Sequence, residues 1–210
     1  MLVSHTRQFL FIHVQKTAGT SITRHIKRHV ADATDYLRPH DPYVLALRDS
    51  TVVHSDYFKV AFVRNPFERL VSWYTDIRSG GRRLSEQEKI GTPNYNRVRQ
   101  HVREHASNFS EFVSHCADAT DRSGWKPFRY NQADYLVDES DVMSMDFVGR
   151  FESLQADFDT LSSRLGIDRC ELPHDNHSSH RPYRDYYTPS LRRIVEARFA
   201  KDCKLFGYRF

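Results

Sequence analysis

Phe9-Leu10-Phe11-Ile12-His13-Val14, followed without a break by Gln15-Lys16-Thr17-Ala18-Gly19-Thr20-Ser21, is the stretch whose reading decides the fold. Its first six residues are a short apolar run rich in strand formers, which reads as a buried strand. The next seven form a loop of small residues around a lysine. Ile22, Ile26 and Val30 then recur at a spacing of four, which is helical. Strand, tight loop and helix make the first half of a βαβ unit.

The same arrangement returns downstream. Tyr57-Phe58-Lys59-Val60-Ala61-Phe62-Val63 reads as a strand and ends in Arg64-Asn65-Pro66. Asn65 suits an N-cap and Pro66 a first helical position. Phe67, Leu70, Val71 and Tyr74 mark a helical apolar face. Two such units favour a parallel sheet with helices on its faces. The expected class is α/β, a P-loop-like central parallel sheet flanked by helices. Further along, Phe109 to Cys116 suits a short helix and Asp146 to Phe151 a strand. Leu154, Phe158, Leu161 and Leu165 give a helix ended by Gly166. Thr188-Pro189 caps a last helix with Leu191, Ile194, Val195 and Phe199 on one side, and the polar residues 171–187 before it suit a loop. Arg78 to His105 is polar, carries Gly80-Gly81, Gly91 and Pro93, and reads as a basic insertion or a mobile lobe. A chain of 210 residues suits a single domain, 1–210, with 78–106 as that insertion.

Composition narrows the function classes. A chain this long buries a sizeable core without a disulfide or metal staple. The formal charge of +4 suggests an anionic partner without saying which kind. Glycine is scarce, 8 of 210 residues, about half the usual ~7%, so each glycine's position is informative. Cys116, Cys170 and Cys203 are far apart and include no CxxC, which reads as a reduced, cytosolic chain. No apolar run approaches the ~20 residues needed to span a bilayer.

A loop between strand and helix aims backbone N–H groups at an anion, the helix start adds its dipole, and a lysine adds a full charge. Lys16, Thr17, Ala18, Gly19, Thr20 and Ser21 have these parts. The same pattern also suits a plain strand-to-helix turn with a solvated lysine. It is not a Walker A loop, because Lys16 precedes Gly19 rather than following it. Val63 is followed by Arg64-Asn65 where a nucleotide triphosphatase wants an acidic magnesium ligand, so the expectation is an anion cradle with no metal. Arg64 falls at the carboxyl end of a strand, where open α/β sheets bind ligands. Its guanidinium suits bidentate phosphate binding, and equally a cap or salt bridge. Ser72 lies about two helical turns further on.

Together the two loops carry a resemblance. Phe11 to Ser21 resembles the 5′-phosphosulfate loop of the sulfotransferases, and Phe62 to Tyr74 their 3′-phosphate motif. The nearest likeness is to carbohydrate sulfotransferases of the heparan sulfate 2-O and chondroitin type and their bacterial relatives. Gln132 to Leu136, Phe147 to Glu152, Tyr183 to Tyr187 and Phe206 to Phe210 are similar to further family blocks, so the likeness runs from Phe9 to Phe210, with Arg78 to Ala106 poorly matched. Gln15 stands where many members carry proline. The resemblance implies 3′-phosphoadenosine 5′-phosphosulfate (PAPS) as donor. Its phosphosulfate would lie in the Lys16 to Ser21 loop and its 3′-phosphate on Arg64 and Ser72. Sulfuryl transfer to an acceptor hydroxyl would proceed in line, with Lys16 stabilising the leaving phosphate. Eukaryotic members of the carbohydrate type are membrane-anchored, and no such anchor is read here, which points to a soluble bacterial form acting on a sugar, a lipid-linked or anionic glycan, or a small metabolite; the aromatics fall in core positions, so no nucleic acid is expected as partner.

The proton acceptor stays open among His40, His54, and an acidic residue or none. His13, inside the first strand, reads as a core histidine. Arg181 fits a loop closing over the nucleotide, and Tyr183 either a stack on adenine or core packing. His174, His177 and His180 form HxxHxxH between Pro173 and Pro182, which reads as a loop rather than a metal site. A magnesium-dependent small-molecule kinase, a nucleic-acid module and a non-catalytic binder are the competing readings. The kinase lacks its acidic ligand, and the nucleic-acid module lacks aromatics interleaved with basic residues on one sheet face.

Overall fold

A computed structural model describes residues 1–49, 56–79, 93–121, 124–169, 171–172 and 181–210. Its strands are β1 (Leu2–Ser4), β2 (Phe9–Ile12), β3 (Thr34–Asp35), β4 (Phe58–Val63) and β5 (Phe147–Arg150), in the sheet order β3-β1-β2-β4-β5. β2 runs parallel to β4 with Phe9 opposite Phe58, and β4 runs parallel to β5 with Val63 opposite Arg150. β1 is antiparallel to both β2 and β3. The carboxyl ends of β2 and β4 therefore finish side by side.

Among the described residues the helices are α1 (Gly19–His29), α2 (Tyr43–Arg48), α3 (Pro66–Arg78), α4 (Pro93–His105), α5 (Phe109–His115), α6 (Leu154–Leu165), α7 (Pro189–Arg198) and α8 (Ala200–Phe206). None of them is long and apolar enough to cross a membrane. The central sheet is mostly parallel and flanked by helices, as the sequence led us to expect.

The chain divides into two compact units, Met1–Arg64 with Gln132–Asp175, and Asn65–Asn131 with Asn176–Phe210. The first holds the sheet. Phe9, Phe11, Val60 and Phe62 from one face pack with Ile22, Ile26 and Val30 of and after α1, and with Phe158, Leu161 and Leu165 of α6. Leu10, Ile12, Ala61 and Val63, on the alternate face, are also buried. Burial on both faces is why these strands read as unbroken apolar runs. Each such side chain contributes about 1.5–3 kcal/mol. α6 stops at Gly166, whose φ of 64° places it in the left-handed region that ends helices.

The second unit is helical. Its core joins Phe67, Leu70 and Val71 of α3 to Val98 and Val102 of α4, Phe112 and Val113 of α5, and Leu191 and Val195 of α7. Asn65 caps α3 by accepting from the Phe67 N–H at 3.0 Å, with Pro66 at the first position. Thr188 caps α7 by accepting from the Leu191 N–H at 3.2 Å.

Several elements differ from the sequence reading. β1, β3 and α2 were not expected. The polar stretch Arg78 to His105 contains α4, while residues 80–92 lie outside the described ones. The last helix breaks at Phe199 into α7 and α8, and Ile194 points to solvent, 42% exposed.

Candidate active site

The loop after β2 gains its shape from backbone of unusual hand. Lys16 has φ 68° and Ala18 φ 65°, while Thr17 between them keeps negative φ. Non-glycine residues enter this region at a cost, and such strain gathers at ligand sites. Alternation of hand turns successive N–H groups toward one concavity, the geometry of anion nests. The Thr17 hydroxyl donates to the Val14 carbonyl at 2.9 Å, so its side chain braces the loop.

α1 begins at Gly19, and its first helical bond runs from Ile22 N–H to Ala18 O at 3.2 Å. The N–H groups of Gly19, Thr20 and Ser21 precede that bond and have no intrahelical partner. Ala18 offers no capping side chain and the first turn holds no acid, while Lys27, Arg28 and His29 crowd the far end. The positive end of the helix dipole is left for an external anion.

Gly19 has a different task from the one its loop position suggested. Its φ is not positive. A Cβ there would stand 2.0 Å from Cδ2 of His13. The residue is small because the His13 ring occupies its side-chain space, and Lys16 and Ala18 carry the strained backbone.

Arg64 follows β4 directly and is 5% exposed. Its Nη1 donates to the Lys16 carbonyl at 3.4 Å, and its guanidinium carbon lies 3.8 Å from the centre of the Phe151 ring. Because β2 and β4 are parallel neighbours, the two loops meet: the arginine of one touches the lysine backbone of the other.

His40 sits in a turn closed by Arg38 N–H to the Asp41 carboxylate at 3.1 Å and Asp41 N–H to Arg38 O at 3.2 Å. Its Nδ1 lies 3.1 Å from the His13 carbonyl oxygen. A carbonyl only accepts, so Nδ1 carries the proton, and a neutral His40 keeps its lone pair on Nε2. The His13 and His40 rings meet edge to face, 4.6 Å between centres. Burial holds the His13 pKa well below its usual value, and the neighbouring His40 adds to this.

Lys16, Thr17, Ala18, Gly19, Thr20, Ser21, Arg64 and His40 thus share the first unit and one strand edge. Ser72, buried in α3, and Arg181 and Tyr183 belong to the second unit. There Arg181 lies 5.1 Å from the Tyr186 ring centre, and Arg184 lies 4.8 Å from that of Tyr183. His54 and the 174–180 histidines lie outside the described residues. His101 and His105 stack on α4 with centres 4.1 Å apart, His105 fully on the solvent side. Sequence reasoning missed the contacts of His13 with Gly19 and His40, the two hydrogen bonds between the Gln132 side-chain amide and the Arg64 backbone, and Phe151 beside the guanidinium. The strand position of His13 and its spacing of six from Gly19 were the only available signals for the first.

The site so built is an α/β sheet with a tight loop after β2, a buried arginine after the neighbouring β4 and His40 against the His13 carbonyl. The chain belongs to the sulfotransferase family, whose model matches residues 1–209. It is 31% identical over 119 residues to mouse (Mus musculus) carbohydrate sulfotransferase 11, which covers 53% of this chain and 33% of that protein. The chain thus aligns with about a third of that relative. A sulfotransferase structure from Alicyclobacillus acidocaldarius aligns over 97% of this chain and 96% of its own, at 15% identity and a TM-score of 0.38.

Proposed function

We propose that this protein moves a sulfuryl group from PAPS to a hydroxyl of a carbohydrate acceptor. The carrying observation is the junction of the two loops, with Arg64 donating to the backbone of Lys16. The donor carries phosphate on both the 3′ and the 5′ oxygen of its ribose, and two loops that meet at neighbouring strand ends suit such a pair of anions. The uncapped start of α1 and the Lys16–Ala18 nest suit the 5′-phosphosulfate, and Arg64 suits the 3′-phosphate. The mouse relative's name supports a carbohydrate as acceptor. Free thiols at Cys116 and Cys203 support a reducing, cytoplasmic setting.

Bound PAPS supplies the sulfuryl group and a phosphate leaving group. Lys16 stabilises the negative charge that grows on that phosphate as its bond to sulfur breaks. His40 Nε2 takes the proton from the acceptor hydroxyl as the new oxygen–sulfur bond forms. The His13 carbonyl holds the His40 ring in the tautomer that leaves Nε2 unprotonated.

Lys16→Ala and Arg64→Ala test the assignment, with transfer assayed from labelled PAPS and binding measured by calorimetry with adenosine 3′,5′-bisphosphate. Lys16→Ala lowers kcat by about 10²–10³, as loss of one charge-stabilising donor does, while bisphosphate binding survives. Arg64→Ala weakens bisphosphate binding. Unchanged turnover in the first variant, or unchanged affinity in the second, removes that residue from the site.

A further inference from the structure

Val63 opposite Arg150 is the last laddered pair of β4. Beyond it the Arg64 backbone leaves the sheet while the residue stays buried, and buried N–H and C=O groups need partners. Gln132 supplies both. Its Oε1 accepts from the Arg64 N–H at 2.9 Å, and its Nε2 donates to the Arg64 carbonyl at 2.7 Å. One side-chain amide takes the place of a strand residue.

Gln132 is itself 0% exposed. It leads into the short 3-10 turn Ala133–Tyr135, whose Tyr135 N–H donates to the Gln132 carbonyl at 3.1 Å. Tyr135 is fully buried. The clamp therefore stands on a rigid base. At the other end of Arg64, the Phe151 ring centre lies 3.8 Å from the guanidinium carbon. A free arginine gives up about 2 kcal/mol of rotamer entropy when it binds a ligand. Holding its main chain and one guanidinium face in advance lowers that cost.

We propose that Gln132 is a positioning residue for the nucleotide: it fixes the Arg64 backbone so that the guanidinium meets a 3′-phosphate, and so sets the preference for 3′-phosphorylated adenosine nucleotides. The inference rests on the reading that Arg64 takes that phosphate. A residue serving the fold alone would lower stability and weaken all adenosine nucleotides alike. A positioning residue weakens only those with the 3′-phosphate.

The test compares calorimetric affinities of the full chain for adenosine 3′,5′-bisphosphate and adenosine 5′-monophosphate. Their ratio isolates the 3′-phosphate. Gln132→Met removes both hydrogen bonds at similar volume, and Gln132→Asn keeps the amide but shortens its reach by one methylene. Thermal melting establishes that each is folded. In a folded variant the preference for the bisphosphate falls about tenfold, the worth of one well-placed charged hydrogen bond, with monophosphate affinity close to wild type. An unchanged ratio in a folded variant overturns the proposal. So does failure of both variants to fold, which would make Gln132 a fold residue alone. A wild-type protein with no preference for the bisphosphate removes Arg64 from the 3′-phosphate, and the proposal with it, before any variant is measured.

Discussion

A methyl group at position 19 would overlap the His13 ring, with distances of 2.0 Å to Cδ2 and 2.2 Å to Nε2. The ring has little room to retreat, because it stacks on Phe11 with centres 5.9 Å apart and meets His40 at 4.6 Å. Gly19→Ala therefore costs about 1–3 kcal/mol, the usual range for overpacking. His13→Ala empties that space at its own cost. The double variant Gly19→Ala/His13→Ala recovers most of the Gly19→Ala loss, giving a coupling above 0.5 kcal/mol in a denaturation cycle. Additive single effects would show that some other neighbour restricts the position. At this scale the structure adds a reason for Gly19 that the sequence did not show, the His13 ring beside it. Scarce glycine drew attention to Gly19 as the place where backbone approaches a ligand. The left-handed residues are Lys16 and Ala18, which no propensity scale favours there. A ring six residues upstream filling a missing side chain leaves no local pattern to read. His40 shows the same limit: its residue type was legible, but the carbonyl that fixes its tautomer was not.

At the scale of elements, α4 is tied to α3 by Arg99 and Asp76. The Arg99 side chain is 4% exposed and that of Asp76 20%. Nη2 of Arg99 pairs with the Asp76 carboxylate and Nη1 donates to the Asp76 carbonyl at 3.1 Å. Burial pulls the Arg99 pKa down and Asp76 opposes it. Asp76→Ala strands a buried guanidinium and costs about 3–5 kcal/mol, whereas replacing the pair by apolar residues is close to neutral. Urea melts of Asp76→Ala and of Asp76→Ala/Arg99→Met check this: the double variant regains most of the loss. A double variant no more stable than Asp76→Ala would show that the arginine stem, not its charge, holds α4. This clasp also explains why α4 escaped the sequence reading. Among its described side chains, Val98 and Val102 face the core, and the third contact is an arginine, which periodicity scores as solvent. β1 was hidden in the same way, as three residues beside the polar run Ser4 to Gln8. By contrast β2, β4, α1, α3 and α6 were legible because their apolar faces are continuous and the ends of α3 and α6 carry Asn65-Pro66 and Gly166.

Over the whole molecule the charge is unevenly placed. Between Arg78 and His105 lie seven basic and three acidic residues, an excess equal to the +4 of the entire chain. The structure now separates the arginines of that stretch by task. Arg99 is spent on the α3–α4 clasp, while Arg97 and Arg103 are exposed on α4. The proposed donor groups, Lys16 and Arg64, lie in the first unit and α4 in the second. An exposed arginine raises local anion concentration and contributes about 0.5–1 kcal/mol to a charged partner. Arg97→Gln/Arg103→Gln therefore raises KM for an anionic glycan acceptor about five- to thirtyfold and leaves KM for PAPS unchanged. The effect is electrostatic, so it shrinks as added salt cuts the Debye length from about 10 Å at 0.1 M toward 3 Å at 1 M. Steady-state kinetics with each substrate varied at two salt concentrations separate the outcomes. A rise in donor KM would place these arginines at the nucleotide. An acceptor KM unchanged at low salt would mean that the basic excess serves no acceptor at all, and that specificity comes from residues outside α4.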